Sequence, residues 1–229
     1  MERKSIVCFA NSRKLNRKCF AGKDIASRSW VRPVSSRSGQ EIEDTEQKLS
    51  GGGVAKLLDV ISVPFESVRP QNHSAYQSEN CLIANEQWKF EKSLNRHEAL
   101  TFADSMADPL WLRHSPGNSD RVPKNQITKI NHSLCLLLVE KLEITVSQNK
   151  YGEGKKVRAE FRSGVTDLDL SVTDCEIERV FKAKESGTYP VTQNVLLCLS
   201  LGELYRSPRS NNEDAYKLVC GLITQNPIV

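Results

Sequence analysis

Val157-Arg158-Ala159-Glu160-Phe161-Arg162 runs through Ser163-Gly164-Val165-Thr166 into Asp167-Leu168-Asp169-Leu170-Ser171-Val172. Apolar and polar residues alternate on both sides of the glycine. That is the period of a strand with one buried and one wetted face. Gly164 supplies the backbone freedom of a short connection, so the stretch reads as an antiparallel hairpin. The pattern extends outward from there. Leu142-Glu143-Ile144-Thr145-Val146 alternates in the same way, and Ser133 to Val139 is an apolar strand. Val195 to Leu201 and Tyr216 to Thr224 are two more. Strands this short, at fairly regular spacing, predict a small barrel.

The amino-terminal part is also rich in β formers. Ser5-Ile6-Val7-Cys8-Phe9-Ala10 is a first strand closed by the turn signal Asn11-Ser12, with a basic loop from Arg13 to Lys18. Cys19-Phe20-Ala21-Gly22-Lys23 resumes the chain, and Gly22 marks a bend or a close backbone approach. Asp24-Ile25-Ala26 reads as one helical turn. Trp30-Val31-Arg32-Pro33-Val34 reads as a strand at an edge or terminus, because Pro33 has no N–H for a ladder. Residues 35–53 form a polar loop with a short helix near Glu41 to Leu49. Leu57 to Val63 is a strand, and residues 66–80 are loop. Trp88, Leu94, Leu100 and Phe102 are spaced as on helices, and Glu98 to Met106 reads as a helix stopped by Asp108-Pro109. The fold class is therefore mainly β with minor α: two small barrels, residues 1–130 and 131–229, with a helical insert over about 80–128. No internal repeat is visible by eye.

Charge is unevenly spread. The chain of 229 residues carries a net +4, yet its first forty residues hold ten basic and two acidic side chains, leaving −4 for the rest. A basic block on a mildly acidic chain points to an anionic partner. With 26% charged and 38% hydrophobic residues, composition excludes a disordered tail, a collagen and a coiled coil. The longest apolar run, Leu134 to Val139, is too short to cross a bilayer. No long apolar core follows Met1-Glu2-Arg3-Lys4, so the expectation is a soluble, cytoplasmic protein without a membrane partner. Seven cysteines without a Cys-x-x-Cys pair suit neither a disulfide framework nor a zinc ribbon.

A resemblance emerges along the chain. Ile6-Val7-Cys8-Phe9-Ala10-Asn11-Ser12-Arg13-Lys14 with Cys19-Phe20-Ala21-Gly22, and then Trp30-Val31-Arg32-Pro33-Val34-Ser35, resemble the opening of the prokaryotic dual OB-containing domain family. Asp120-Arg121-Val122, Val172-Thr173-Asp174, Leu199-Ser200-Leu201-Gly202-Glu203 and Tyr216-Lys217-Leu218 are similar to its later blocks, in order. The resemblance implies two OB-like barrels in a bacterial protein from a defence or genome-conflict operon. It carries no established catalytic activity over to this chain.

The basic set Asn11, Arg13, Lys14, Arg17, Lys18, Lys23 and Arg32 is placed to track a phosphate backbone, with Trp30 and Phe20 as stacking rings. OB barrels bind single strands by a positive groove and aromatic platforms. The bland reading makes Phe20 and Trp30 core residues and the cations a solvated surface. Ser12 with Lys14, or Cys19 among cations, has the composition of a nucleophile but no supporting motif. No phosphate loop or nucleophile elbow is present, and Gly51-Gly52-Gly53 reads as a connection. His73, His97, His114 and His132 are scattered, and Asp104, Asp108 and Asp120 lack a ligand spacing. Asp167 and Asp169 share a solvated strand face, and Asp120-Arg121 is an ion-pairing turn. The expectation is a non-catalytic binder of single-stranded DNA or RNA, with no metal or cofactor, and with a protein partner from the same operon. Two alternatives stand beside it. One is an adaptor whose basic face meets an acidic protein. The other is a small-nucleotide sensor or hydrolase with a deep pocket lined by Asn11, Lys14, Trp30 and Arg32.

Overall fold

The first strand, β1 (Glu2–Lys14), extends well past the apolar run that announces it. A computed structural model describes the chain apart from residues 15–16, 38–41, 67–73, 106–110, 112–118, 150–152, 192, 208–211, 227 and 229; at residues 13, 14, 17 and 18 it describes the backbone alone. Backbone contacts fall into two units, Met1–Phe102 and Ala103–Val229. The expected boundary lay at residue 130.

In the first unit β1 is followed by β2 (Arg17–Asp24), β3 (Trp30–Val34), β4 (Asp59–Phe65), β5 (Asn80–Leu82) and β6 (Lys89–Ser93). The sheet order is β5-β3-β2-β1-β4-β6. β5 runs parallel to β3. Beyond it, the Glu66 amide donates to the Leu82 carbonyl at 2.9 Å and the Ala84 amide to the Pro64 carbonyl at 3.0 Å. Neighbours therefore run β1-β2-β3-β5-β4 and back to β1. Ile6, Cys8, Phe20, Val31, Ile61, Val63 and Trp88 meet in one core. The register steps from Cys8↔Gly22 to Ala10↔Ala21, so Phe9 is a bulge residue. It packs against Trp30 and Phe102, with ring centroids 6.2 and 5.6 Å away.

Several sequence expectations change here. β3 is not an edge strand. Its pairing with β2 ends at Val31, and the bonds to the β5 side come from the Arg32 amide and the Val34 carbonyl, so Pro33 has no ladder bond to lose. Asp24 to Arg28 keeps the expected single helical turn, closed by the Arg28 amide on the Asp24 carbonyl at 2.9 Å. The described part of 41–49 has turns in place of a helix. Trp88 bridges to Leu49 and fills the core, Lys89 to Ser93 is strand, and α1 is only Arg96–Leu100. A capping box of Asn95 and Glu98 starts that helix two residues early, and it has ended by Thr101.

The second unit contains β7 (Arg121–Pro123), a 3-10 turn (Lys124–Lys129), β8 (Leu134–Val139), β9 (Leu142–Gln148), β10 (Lys155–Ser163), β11 (Thr166–Val172), α2 (Cys175–Lys182), β12 (Gly187–Val191), β13 (Val195–Arg206) and β14 (Glu213–Ile223). The predicted hairpin is β10–β11, with Ser163 opposite Thr166 and Gly164 at φ 58°. Its arrangement suits a two-residue turn with glycine in the first central position. Asp167 and Asp169 lie on its exposed face. β8 and β9 are halves of one path broken at Glu140-Lys141. β12 and β13 are likewise consecutive, and β9 pairs with β12 while β8 pairs with β13. β11 and β14 are parallel. Both units thus use one neighbour scheme, first-second-third-fifth-fourth, with a parallel third and fifth strand. The fold is mainly β with minor α and consists of two OB-like sheets.

Candidate nucleic-acid interface

The eight residues expected to form one basic face separate along the first sheet. Arg13 stands opposite Lys18, and Lys14 opposite Arg17, at the end of the β1–β2 hairpin. Lys23 and Trp30 face each other beside Val7, six residues lower on β1, about 20 Å away at strand rise.

The lower group is engaged internally. Lys23 is buried, and its ammonium donates to the Phe102 carbonyl at 2.8 Å and lies 5.0 Å from the Trp30 ring. Trp30 is half-buried against Phe9. Arg32 is 6% exposed; its guanidinium meets Glu79 at 3.1 Å and the Asn80 side-chain oxygen at 3.1 Å. A buried ion pair carries a large desolvation cost and holds only when its hydrogen bonds are satisfied. Arg32 therefore fixes the segment before β5 onto β3 and does not present charge to solvent. The Asn11 amide donates to the Ala55 carbonyl at 2.7 Å. Asn11, Trp30 and Arg32 thus make these contacts with different partners. Phe20 is fully buried, edge-on to Trp88 at 5.2 Å. Ser12 is buried as well, and Cys19 is half-buried.

Other expectations resolve in the same manner. His73, His114 and Asp108 lie outside the described residues. Asp104 accepts the Leu136 amide at 2.8 Å, and His132 lies beside Asn131. Among the described residues, no three His, Cys, Asp or Glu side chains gather as metal ligands. Asp120 and Arg121 pair at 2.8 Å, which holds the guanidinium pKa above its ordinary value. Asp174 caps α2 by accepting the Glu176 and Ile177 amides, and its other oxygen takes the Leu222 amide of β14 at 3.1 Å.

Sequence reasoning missed three features. Glu79, the carboxylate that neutralises Arg32, lies 47 residues away with no local signal. Lys217 is 1% exposed in β14, and burial pushes its pKa down to about 7 although Asp120 acts in the other direction. Tyr205 and Tyr216, on β13 and β14, meet edge to face at 6.3 Å. Only the strand register, and not the spacing, brings these two rings together.

No curated protein matches the sequence. A family model described as dual OB-containing domain matches residues 4–222, nearly the whole chain. That span covers both sheets with their repeated neighbour scheme, and the chain belongs to the dual OB-containing domain family.

Proposed function

We propose that the chain binds nucleic acid, single-stranded DNA or RNA, without chemistry of its own, and that the end of the β1–β2 hairpin supplies the phosphate contacts. The observation that carries this reading is the register: Arg13 opposite Lys18, then Lys14 opposite Arg17. Like charges at opposed positions work against strand pairing. A polyanion laid across them removes that repulsion and releases its own counterions. Elsewhere in the basic block, Arg3, Arg32 and Arg37 each meet a carboxylate within the unit. The hairpin end carries four of the block's ten basic residues. Membership of an OB-containing family supports the reading, since such sheets bind single strands through a cationic groove and stacking rings. Lys23 and Arg32 are left out of the proposed surface because both turn inward. The setting that accompanies this proposal is the bacterial cytoplasm, in a phage-defence or genome-conflict operon with a protein partner from that operon.

Charge reversal tests it. The triple variant Arg13→Glu, Lys14→Glu, Arg17→Glu is expected to keep the wild-type circular dichroism spectrum and to bind a 20-nucleotide oligonucleotide roughly 100-fold more weakly. The slope of log affinity against log salt is expected to fall by about 2, at roughly 0.7 per single-strand phosphate contact. Wild-type affinity in the variant rejects the hairpin. Failure of the unaltered chain to bind any oligonucleotide rejects nucleic acid and favours an acidic protein partner.

A further inference from the structure

β13 leaves β8 after Ser200, and its last residues pair with β14 alone: Leu204↔Ala215, Tyr205↔Asp214, Arg206↔Glu213. On the other side of β14, β7 pairs as Pro123↔Asp214, Val122↔Ala215 and Arg121↔Tyr216. The result is a three-stranded ribbon with one side chain from each strand in a row. Tyr205 and Tyr216 lie edge to face at 6.3 Å and 63°. The Arg121 guanidinium carbon is 4.8 Å from the Tyr216 ring, and its Nη1 donates to the Tyr216 hydroxyl at 3.2 Å. Asp120 anchors Arg121 in turn at 2.8 Å. The inner end of the row is therefore locked by charge-assisted bonds.

The outer end is open. Tyr205 is 55% exposed. A purely structural cross-strand aromatic pair stabilises a ribbon by about 0.2–1 kcal/mol and has no need of an uncovered ring. A prearranged π surface with its outer ring uncovered matches an unpaired base. A base inside a duplex is covered on both faces and cannot reach it.

We propose that the Tyr205–Tyr216–Arg121 row is a stacking platform on which the second unit holds one base of a single-stranded nucleic acid. The proposal rests on the nucleic-acid reading above and adds a site in the other unit. Stacking accepts any base, so affinity depends on the strand being single rather than on its sequence.

The test is fluorescence-anisotropy titration of the full chain with a labelled 20-nucleotide oligo-dT, its duplex, and an oligonucleotide of abasic sites. Tyr205→Ala is expected to weaken oligo-dT binding roughly 5- to 100-fold, as loss of one stacked base does, with an unchanged salt slope. Tyr205→Phe keeps the ring and is expected to bind as the wild type. The abasic strand is expected to bind wild type and Tyr205→Ala equally. The hairpin variant, by contrast, loses affinity and salt slope together. Oligo-dT affinity unchanged in Tyr205→Ala overturns the proposal and assigns the row to a protein partner, while leaving the hairpin reading intact. Equal losses in Tyr205→Phe and Tyr205→Ala also overturn it, because the hydroxyl and not the ring would then be responsible. A wild-type chain that binds no oligonucleotide overturns both readings.

Discussion

Gly22→Ala is expected to destabilise the first unit by more than about 3 kcal/mol and to lower its Tm by at least about 12 °C. Gly22 sits in β2 opposite Cys8 on one side and Val31 on the other, immediately before the Phe9 bulge. A Cβ built there would lie 2.0 Å from the Val7 carbonyl oxygen, 2.9 Å from its carbon and 2.6 Å from the Ile6 Cγ2. Two of those three atoms are backbone in β1, which is paired on both edges and cannot swing aside. Relief would require β1 and β2 to separate at the point where Ile6 and Cys8 enter the core. Gly51→Ala is the control: nothing lies within 4 Å of its Cβ, and its expected change is within about 0.5 kcal/mol. Thermal unfolding of the two variants followed by circular dichroism checks this. Equal Tm values would show that the sheet adjusts to the added methyl.

Lys217 is expected to make stability rise with pH. Its ammonium lies in β14 with 1% of the residue exposed, and burial lowers its pKa from about 10.5 to about 7. Between those two values the unfolded chain holds a proton that the folded chain has released. Stability therefore increases as pH climbs from about 7 towards 10. Below about 7 both states are protonated, and the fold bears the whole cost of enclosing the charge. A displacement from about 10.5 to about 7 corresponds to roughly 5 kcal/mol. Lys217→Met keeps the side-chain length and removes the titration. Urea unfolding of both proteins from pH 6 to 9.5 is expected to show the variant more stable at pH 6, with the two curves converging as pH rises. Parallel curves across that range would refute the assignment.

Much of the β structure was legible because one face of each strand is wet. The alternation from Val157 to Val172 survives in the sheet as alternating burial, and Gly164 marks the turn. β6 was illegible for the opposite reason: Lys89 to Ser93 are all exposed, so no period exists to read. The helical spacing of Trp88, Leu94, Leu100 and Phe102 dissolves because these residues belong to a bridge, a loop, α1 and the turn after it. The duplicated neighbour scheme was hidden too. The second unit breaks its first and fourth strands into β8 with β9 and β12 with β13, so element counts differ while pairings agree.

The candidate site was legible only as charge. The hairpin cluster was visible because its four basic residues are near neighbours in sequence. The roles of Lys23 and Arg32 were hidden because their partners, Phe102 and Glu79, arrive from other strands' connections. Several blocks that carried the family resemblance have internal duties. Asp174 caps a helix, Asp120 and Arg121 brace the ribbon, and Arg32 anchors β5. Such residues hold a fold and leave ligand contacts to the less distinctive exposed positions around them.

β14 is the strand on which the second sheet converges, bonded to β7, β11 and β13. During synthesis, then, the two halves mature on different schedules. The amino-terminal half has all its strands once Phe102 has emerged. The other half keeps three strand edges waiting until Ile223. At ~5–20 residues per second that interval is roughly 6–24 s. Within it β7, β11 and β13 emerge one after another, and each offers a backbone edge that chaperones would cover and neighbouring nascent chains could pair with until β14 arrives.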